Sequence, residues 1–387
     1  MWLLRDPWQL SERQLIVPQA LAQMLLLCDG TRTPGEIQAD LTSQLGMPVS
    51  LDIVEDALSQ LDENYLLDNS RYRDKRARLL EEYRAAPFRA PALAGHGYPA
   101  DPRELTAYFQ GFEAEIENNG VSPWSAGRGI VSPHIDYQRG GLVYAHTWRQ
   151  ASPTILEADL VLIFGTDHNG TPGSITLTRQ SYATPFGILP NDVQLINELA
   201  TAIGEGTAFE EELNHRNEHS VELSAVWLHH TFRQHGKKPC AMVPILVGSF
   251  HQFLSNGSHP ANDDKFNRFL GALTRATADR RVVAVGSVDL AHVGPAFGDS
   301  FGMDASRRAH LRDEDQALMT SIELGDAAGF FQQIKSVGDR NRICGFAPLY
   351  LMLRYLNTTA GRKVAYDQCP ADENNTSLVS ICGLLLR

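Results

Sequence analysis

Four residues able to bind a transition metal stand where long apolar runs give way to loops. GIVSP ends at His134, LVLIFGTD ends at His168, and VVAVGSVDLA carries Asp289 and leads into His292. Neutral imidazole and carboxylate are natural ligands of divalent transition metals. In open α/β sheets, sites form outside the carboxyl ends of the strands, so these four side chains can converge. Non-haem iron sites with two histidines and one further ligand are assembled in this way. A single histidine at a strand end is usually a hydrogen-bonded surface residue, but four such placements in one domain favour a site.

A second cluster is Asn217-Glu218-His219-Ser220-Val221-Glu222. On a helix, Glu218 and Glu222 would share a face at i,i+4. Either they belong to a capped helix with His219 bonded to a strand, or Glu218 or His219 orients a metal ligand from behind. The order and spacing are not those of a zinc HExxH motif. The third feature is Cys344 in NRICGFAPL, just ahead of the helical pattern APLYLMLRYL. A helix N-terminus lowers a thiol pKa and favours a metal-binding thiolate, although a buried, inert cysteine is the commoner case. Cys28, Cys240 and Cys382 lie in apolar runs and read as packing, and Cys369 reads as part of a polar loop without a role.

The elements that must position these groups fall into two styles. From about residue 91, runs rich in Val, Ile and Leu (GIVSPHI, ADLVLIFGTDH, AMVPILVGSF, RRVVAVGSVDLAH, SLVSICGLLL) alternate with helical patterns such as 190–204 and 312–335. Such runs suit strands buried on both faces of a sheet. The expected fold is α/β, a layered α/β/α domain over 91–387 with a central mixed sheet. Ahead of it, residues 10–68 read as a helical unit within a module spanning 1–68. LIVPQALAQMLLLCDG has helical spacing and a stop at Asp29-Gly30. Thr33-Pro34-Gly35-Glu36 reads as an N-cap with a capping box. A third helix starts after Ser50, and the apolar segment YLLD follows, so the unit reads as winged-helix-like. The charge-dense stretch 69–90 reads as a solvated linker helix.

The bulk numbers exclude several classes. With 387 residues the chain suits one large and one small domain. A net charge of -12 argues against nucleic acid as a partner. No apolar run is long enough for a membrane span, and the start lacks the features of a signal peptide. Five scattered cysteines without a CxxC fit a reducing cytoplasm.

Taken together, the motifs resemble those of the Memo family, also called AmmeMemoRadiSam system protein B. PALAGHGYPADPRELTAYFQGF, SPHIDYQRGG, FGTDHNG, YATPFG, NEHSVE, VPILVG, SVDLAHVG and ICGFAP follow in the family's order from about residue 91 to the end. The resemblance implies a fold related to class III extradiol dioxygenases, with a metal pocket at the sheet's carboxyl edge. It implies His134, His168 and Cys344 as ligands, with Asp289 and His292 completing the pocket and His292 acting as acid/base. Asn169 stands where the family has the second histidine of a His-His pair. Asp136 stands where relatives have glycine, and a strand would point it to the side of His134. There it would harden the site toward iron or manganese, or simply bond Arg139.

The implied cofactor is a divalent transition metal, iron first, with copper, manganese or zinc as alternatives. The implied function is redox or dioxygenase-like chemistry on a small molecule or peptide. The competing reading is a non-catalytic metal- or peptide-binding adaptor. LLLCDGTRTPGEIQADL and VEDALSQLDENYLLD resemble PqqD-like modules that bind leader peptides. That resemblance implies a radical-SAM partner protein and a peptide substrate; the charge and the lack of a spanning run argue against a nucleic-acid or membrane partner.

Overall fold

Valine, isoleucine and leucine at both parities of a strand leave no face for water, and the five long runs form strands buried on both sides. In the computed structural model every residue is described except 5, 7, 12, 14, 117–123, 125, 126, 256, 358 and 359. The chain divides into two units, Met1–Ala86 and Pro87–Arg387. No helix among the described residues is long and apolar enough to cross a membrane.

The larger unit holds an eight-stranded mixed sheet. Its strands are β1 (Gly129–Ser132), β2 (Leu160–Thr166), β3 (Ile175–Leu177), β4 (Ala241–Val247), β5 (Val282–Ser287), β6 (His292–Val293), β7 (Gly361–Pro370) and β8 (Leu378–Leu386). The order is β6-β8-β1-β5-β2-β4-β3, with β7 on the other edge of β8. The central four, β1-β5-β2-β4, are parallel. The strands beside them, β3 and β8, run antiparallel to their neighbours.

Alternate residues of the central strands enter two separate cores. Val131, Leu162, Phe164 and Ala284 pack with the helices Val193–Ile203, Asp264–Ala276, Ala305–Glu323, Ala327–Ser336 and Phe346–Leu356. Ile130, Val161, Ile163, Val283 and Val285 pack with Pro102–Glu115, Tyr137–Ile155 and His219–Gln234. This is the expected helix–sheet–helix layering.

Register sets where the chemistry lies. Ser132 is paired with Ser287, Gly165 with Ser287 and Thr166 with Val247, so β1, β2, β4 and β5 end on one line. His134, His168 and Asp289 each follow two residues after the end of a strand: Ser132, Thr166 and Ser287.

Three local expectations are corrected. Asp136 is not in a strand. It caps the helix Tyr137–Ile155 through a bond from Arg139 N (3.1 Å) and meets the Arg139 guanidinium. Cys369 is not in a polar loop; it lies in β7, buried with Ile135, Val143, Val379 and Ile381. The pattern 312–335 is two helices, broken at Gly325, where φ is 66°.

In the smaller unit, Leu15–Val17 is a strand paired with Trp2–Leu4 rather than the start of a helix. Pro18 ends the strand, because a proline cannot donate to the ladder, and the helix Gln19–Leu25 follows. The helix Pro34–Leu45 carries the expected capping box between Thr33 and Glu36. Leu51–Glu63 and Ser70–Ala85 follow. The YLLD segment makes no strand; Tyr65 takes a left-handed conformation and Leu66 and Leu67 pack on the core of Met24, Ile37, Leu41, Val54 and Leu61.

Candidate metal centre

His134 lies just past β1 and is nearly fully buried. Its turn is clamped by Asp289, whose Oδ1 accepts from His134 N (2.8 Å) and Ile135 N (3.1 Å). The ring Nδ1 donates to the carbonyl of Ser287 at 2.9 Å. A carbonyl only accepts, so the proton sits on Nδ1 and Nε2 keeps its lone pair. Burial, then the neighbouring His168 and His219, hold this imidazole well below the usual histidine range, hence neutral.

Glu218 organises the other two imidazoles. It is buried at the N-cap of the helix His219–Gln234, where it accepts from Ser220 N at 2.9 Å. The same carboxylate accepts from His168 N (3.0 Å), from His168 Nδ1 (3.0 Å), and from His219 Nδ1 at 3.1 Å. Burial alone would raise its pKa, but the bonds from His168 and His219 carry it well below the carboxylate range. Ring centroids lie 5.1 Å apart for His134 and His168, 5.3 Å for His134 and His219, and 4.8 Å for His168 and His219.

Cys344 reaches the cluster from the loop before the helix Phe346–Leu356. Its backbone is fixed by Thr166 Oγ1 donating to Cys344 O (2.9 Å) and by Gly345 N donating to Asp289 O (3.1 Å). The sulfur lies 3.2 Å from His134 Nε2 and 3.5 Å from the carbonyl of Asp289. The thiol is not lowered as expected: burial pushes it up, and the bond to His168 does not offset that. Burial lowers His168, but the bonds to Cys344 and Glu218 outweigh it and push the ring up to about 11. Without metal the pocket therefore pairs a neutral thiol with an imidazolium.

Ligand atoms of His134, His168 and His219 lie within 4.8 Å of one another, and so do those of His134, Asp289 and Cys344. Each of the three imidazoles has Nδ1 engaged by an acceptor, leaving Nε2 as its donor. This is the arrangement that fixes a metal-binding tautomer. Imidazoles with a thiol and a carboxylate suit a transition metal rather than calcium or magnesium.

His219, read from sequence as an orienting residue, stands among the donors, while Glu218 orients. Glu222 does not share Glu218's face; it is drawn away into an ion pair with Arg89. His292 borders the cluster, its Nδ1 3.2 Å from the carbonyls of Leu290 and Arg342. Asp136 bonds Arg139 and lies outside both donor groups. Asn169 is exposed, its backbone N donating to Asp167 at 3.2 Å. Sequence reasoning missed the parts of Ser287 and Thr166, which act through a carbonyl and through a bond to one; both lie inside motifs, SVDLAHVG and FGTDHNG, whose residue types do not reveal these bonds.

An α/β fold with imidazole, thiol and carboxylate donors gathered at the carboxyl edge of a parallel sheet defines a candidate metalloprotein class. Residues 89–385 match the family model described as Memo-like protein, and the chain belongs to that family. It is similar to a MEMO1 family protein of Aquifex aeolicus, 26% identical over 396 residues, covering 99% of this chain and 95% of that one. It is also similar to a MEMO1 family protein of Methanosarcina acetivorans (28% identical, 69% of this chain, 85% of that one). With Protein MEMO1 of Homo sapiens it shares 26% identity, over 68% of this chain and 83% of the human one. The Aquifex alignment also takes in the smaller unit, which lies outside the family model.

Proposed function

We propose that this is a mononuclear non-haem metal protein that performs redox, dioxygenase-like chemistry on a small molecule or peptide. His134, His168 and Cys344 would hold the metal, iron first among the candidates, with His219 a further imidazole at hand. The observation that carries the reading is the shared Glu218 carboxylate, which ties Nδ1 of both His168 and His219 while Ser287 ties that of His134. A cluster of imidazoles aimed at one point, each held from behind through Nδ1, is costly to build and suits a cation.

When bound, a divalent metal supplies a Lewis acid with coordination positions left for a substrate. Asp289 holds the turn that presents His134. His292, lowered by burial and so neutral, donates Nδ1–H to backbone carbonyls and keeps Nε2 free to take or return a proton. A second reading, a metal carrier without turnover, is favoured by the number of donors: three imidazoles, a thiol and a carboxylate can fill a coordination sphere.

Metal analysis of protein purified without a His-tag decides the first point. Stoichiometric metal, lost in His134→Ala and His168→Ala, is the expected result; unchanged uptake in both variants would sink the site. Oxygen consumption by the iron-loaded protein with catechol-like substrates separates the enzyme from the carrier. The smaller unit, by its resemblance to PqqD-like modules, would dock a short peptide for a radical-SAM partner. Pull-down of a neighbouring peptide tests this, and failure to retain any would leave a plain helical adaptor.

A further inference from the structure

The segment that opens the larger unit contains a fully buried arginine. Arg89 is fixed to the strand Tyr182–Thr184, its N donating to Ser181 O (2.8 Å) while its carbonyl accepts from Ala183 N (2.9 Å). The guanidinium lies over the Tyr182 ring, 4.7 Å from its centroid. Each edge of its fork is used. Nε donates to the carbonyl of His215 at 2.8 Å, Nη2 to the carbonyl of Glu218 at 2.9 Å, and Nη1 to the carboxylate of Glu222. The two side chains of that ion pair are 0% and 1% exposed. Glu222 also accepts from Ala92 N and Leu93 N, both at 2.8 Å, and from Tyr98 OH at 2.5 Å.

The two carbonyls bracket the turn that carries Glu218, and Glu222 lies in the first turn of the helix that Glu218 caps. A planar fork with donors in fixed directions can hold two carbonyls and a carboxylate in one geometry; an ammonium cannot. The turn His215–Glu218 is therefore set from behind by one side chain. The side chain it aims is the carboxylate that holds Nδ1 of both His168 and His219.

We infer that Arg89 is a positioning residue for the metal centre, acting through the His215–Glu218 turn to aim Glu218 at the two imidazoles. This rests on the metal-centre reading above. Outer-shell partners of this kind govern metal affinity by roughly 10–100-fold, so Arg89 controls affinity without touching the ion.

Cobalt(II) titration of the full chain, followed by visible and near-ultraviolet absorption, tests it. Wild type should take up cobalt with a thiolate charge-transfer band. Arg89→Lys, folded by circular dichroism, should bind it about 10–100-fold more weakly with shifted ligand-field bands, as Glu218→Gln should. Because the two act in series, the double variant should be no weaker than Glu218→Gln alone. Should Arg89→Lys fail to fold, Arg89→Met with Glu222→Gln removes the buried charges together and keeps an acceptor for the 92–93 amides; the same loss is expected there. Tyr98→Phe, which leaves both carbonyl bonds intact, should match wild type. Wild-type affinity and spectrum in a folded Arg89 variant, or additive losses in the double variant, overturn the inference. Wild type that binds no cobalt overturns the metal-centre reading itself, and this inference with it.

Discussion

The thiol of Cys344 and the ring of His168 are both protonated in the metal-free pocket, for opposite reasons. Burial disfavours a thiolate, whereas Glu218 and Cys344 favour an imidazolium against the same burial. The sign for metal uptake follows. A ligand must be deprotonated to bind, so loading at neutral pH expels a proton from each group, about two in total. His134 is already neutral and adds none. Affinity therefore rises with pH through the neutral range. Calorimetry in buffers of differing ionisation enthalpy should recover about two protons per metal, and about one or fewer would mean that Cys344 or His168 is not a ligand. Without metal the sign is different for each partner of the His168–Glu218 pair. The raised His168 contributes stability in full below its ordinary 6.5 and loses it as pH climbs through about 11. The depressed Glu218 contributes above its ordinary 4.5 and fails in acid. The residue types at His134, His168 and Asp289 were readable as chemistry because each ends or follows an apolar run, and that at Cys344 because it stands just ahead of one. The double duty of Glu218 was not, since it depends on two bonds across a fold that brings residues 168 and 218 together.

At the level of elements, what the sequence made legible was burial. The five strands rich in Val, Ile and Leu stood out, while β7, Gly361–Pro370, did not. It borders the sheet half-buried, with Arg, Lys, Asp and Gln along it, so no apolar run marks it. A loop next to the site hides a similar constraint. Gly345 has an ordinary backbone, with φ of -72°, so its need for glycine is steric. A Cβ there would meet Val288 Cβ at 2.6 Å and the carbonyl of Asp289 at 2.8 Å. Since Cys344 is the preceding residue, Gly345→Ala must move either the thiol or the Asp289 turn. A loss of about 1–3 kcal/mol in stability is expected, with weakened cobalt binding; a stable variant with an unaltered cobalt spectrum would remove the steric argument. Asp136→Ala provides the contrast. Its carboxylate caps the helix Tyr137–Ile155 and bonds Arg139, away from the donors. The cap is worth about 1 kcal/mol, readable as a lower urea midpoint, while cobalt affinity should stay at the wild-type value. A fall in affinity would show that Asp136 reaches the centre after all.

Across the whole molecule, the chain carries its chemistry in one of its two units. Among the described residues, both donor groups lie in Pro87–Arg387, as do the carboxylate that orients two of the imidazoles and the two cores that sandwich the sheet. The family match starts at residue 89, and the smaller unit has an apolar core of its own built on Met24, Ile37, Leu41, Val54 and Leu61. A unit that buries its own core folds as its own domain. The cut must fall before Arg89, whose backbone and fork join the opening segment to the turn behind Glu218. Protein beginning at Pro87 should therefore fold cooperatively and load cobalt with the same stoichiometry and absorption bands as the full chain. Protein beginning at Pro91 should fold less stably and bind more weakly, because it lacks that arginine. Equal behaviour of the two shortened chains would place the support of the metal centre elsewhere. Loss of cobalt by the chain beginning at Pro87 would show that the smaller unit is needed to complete the site.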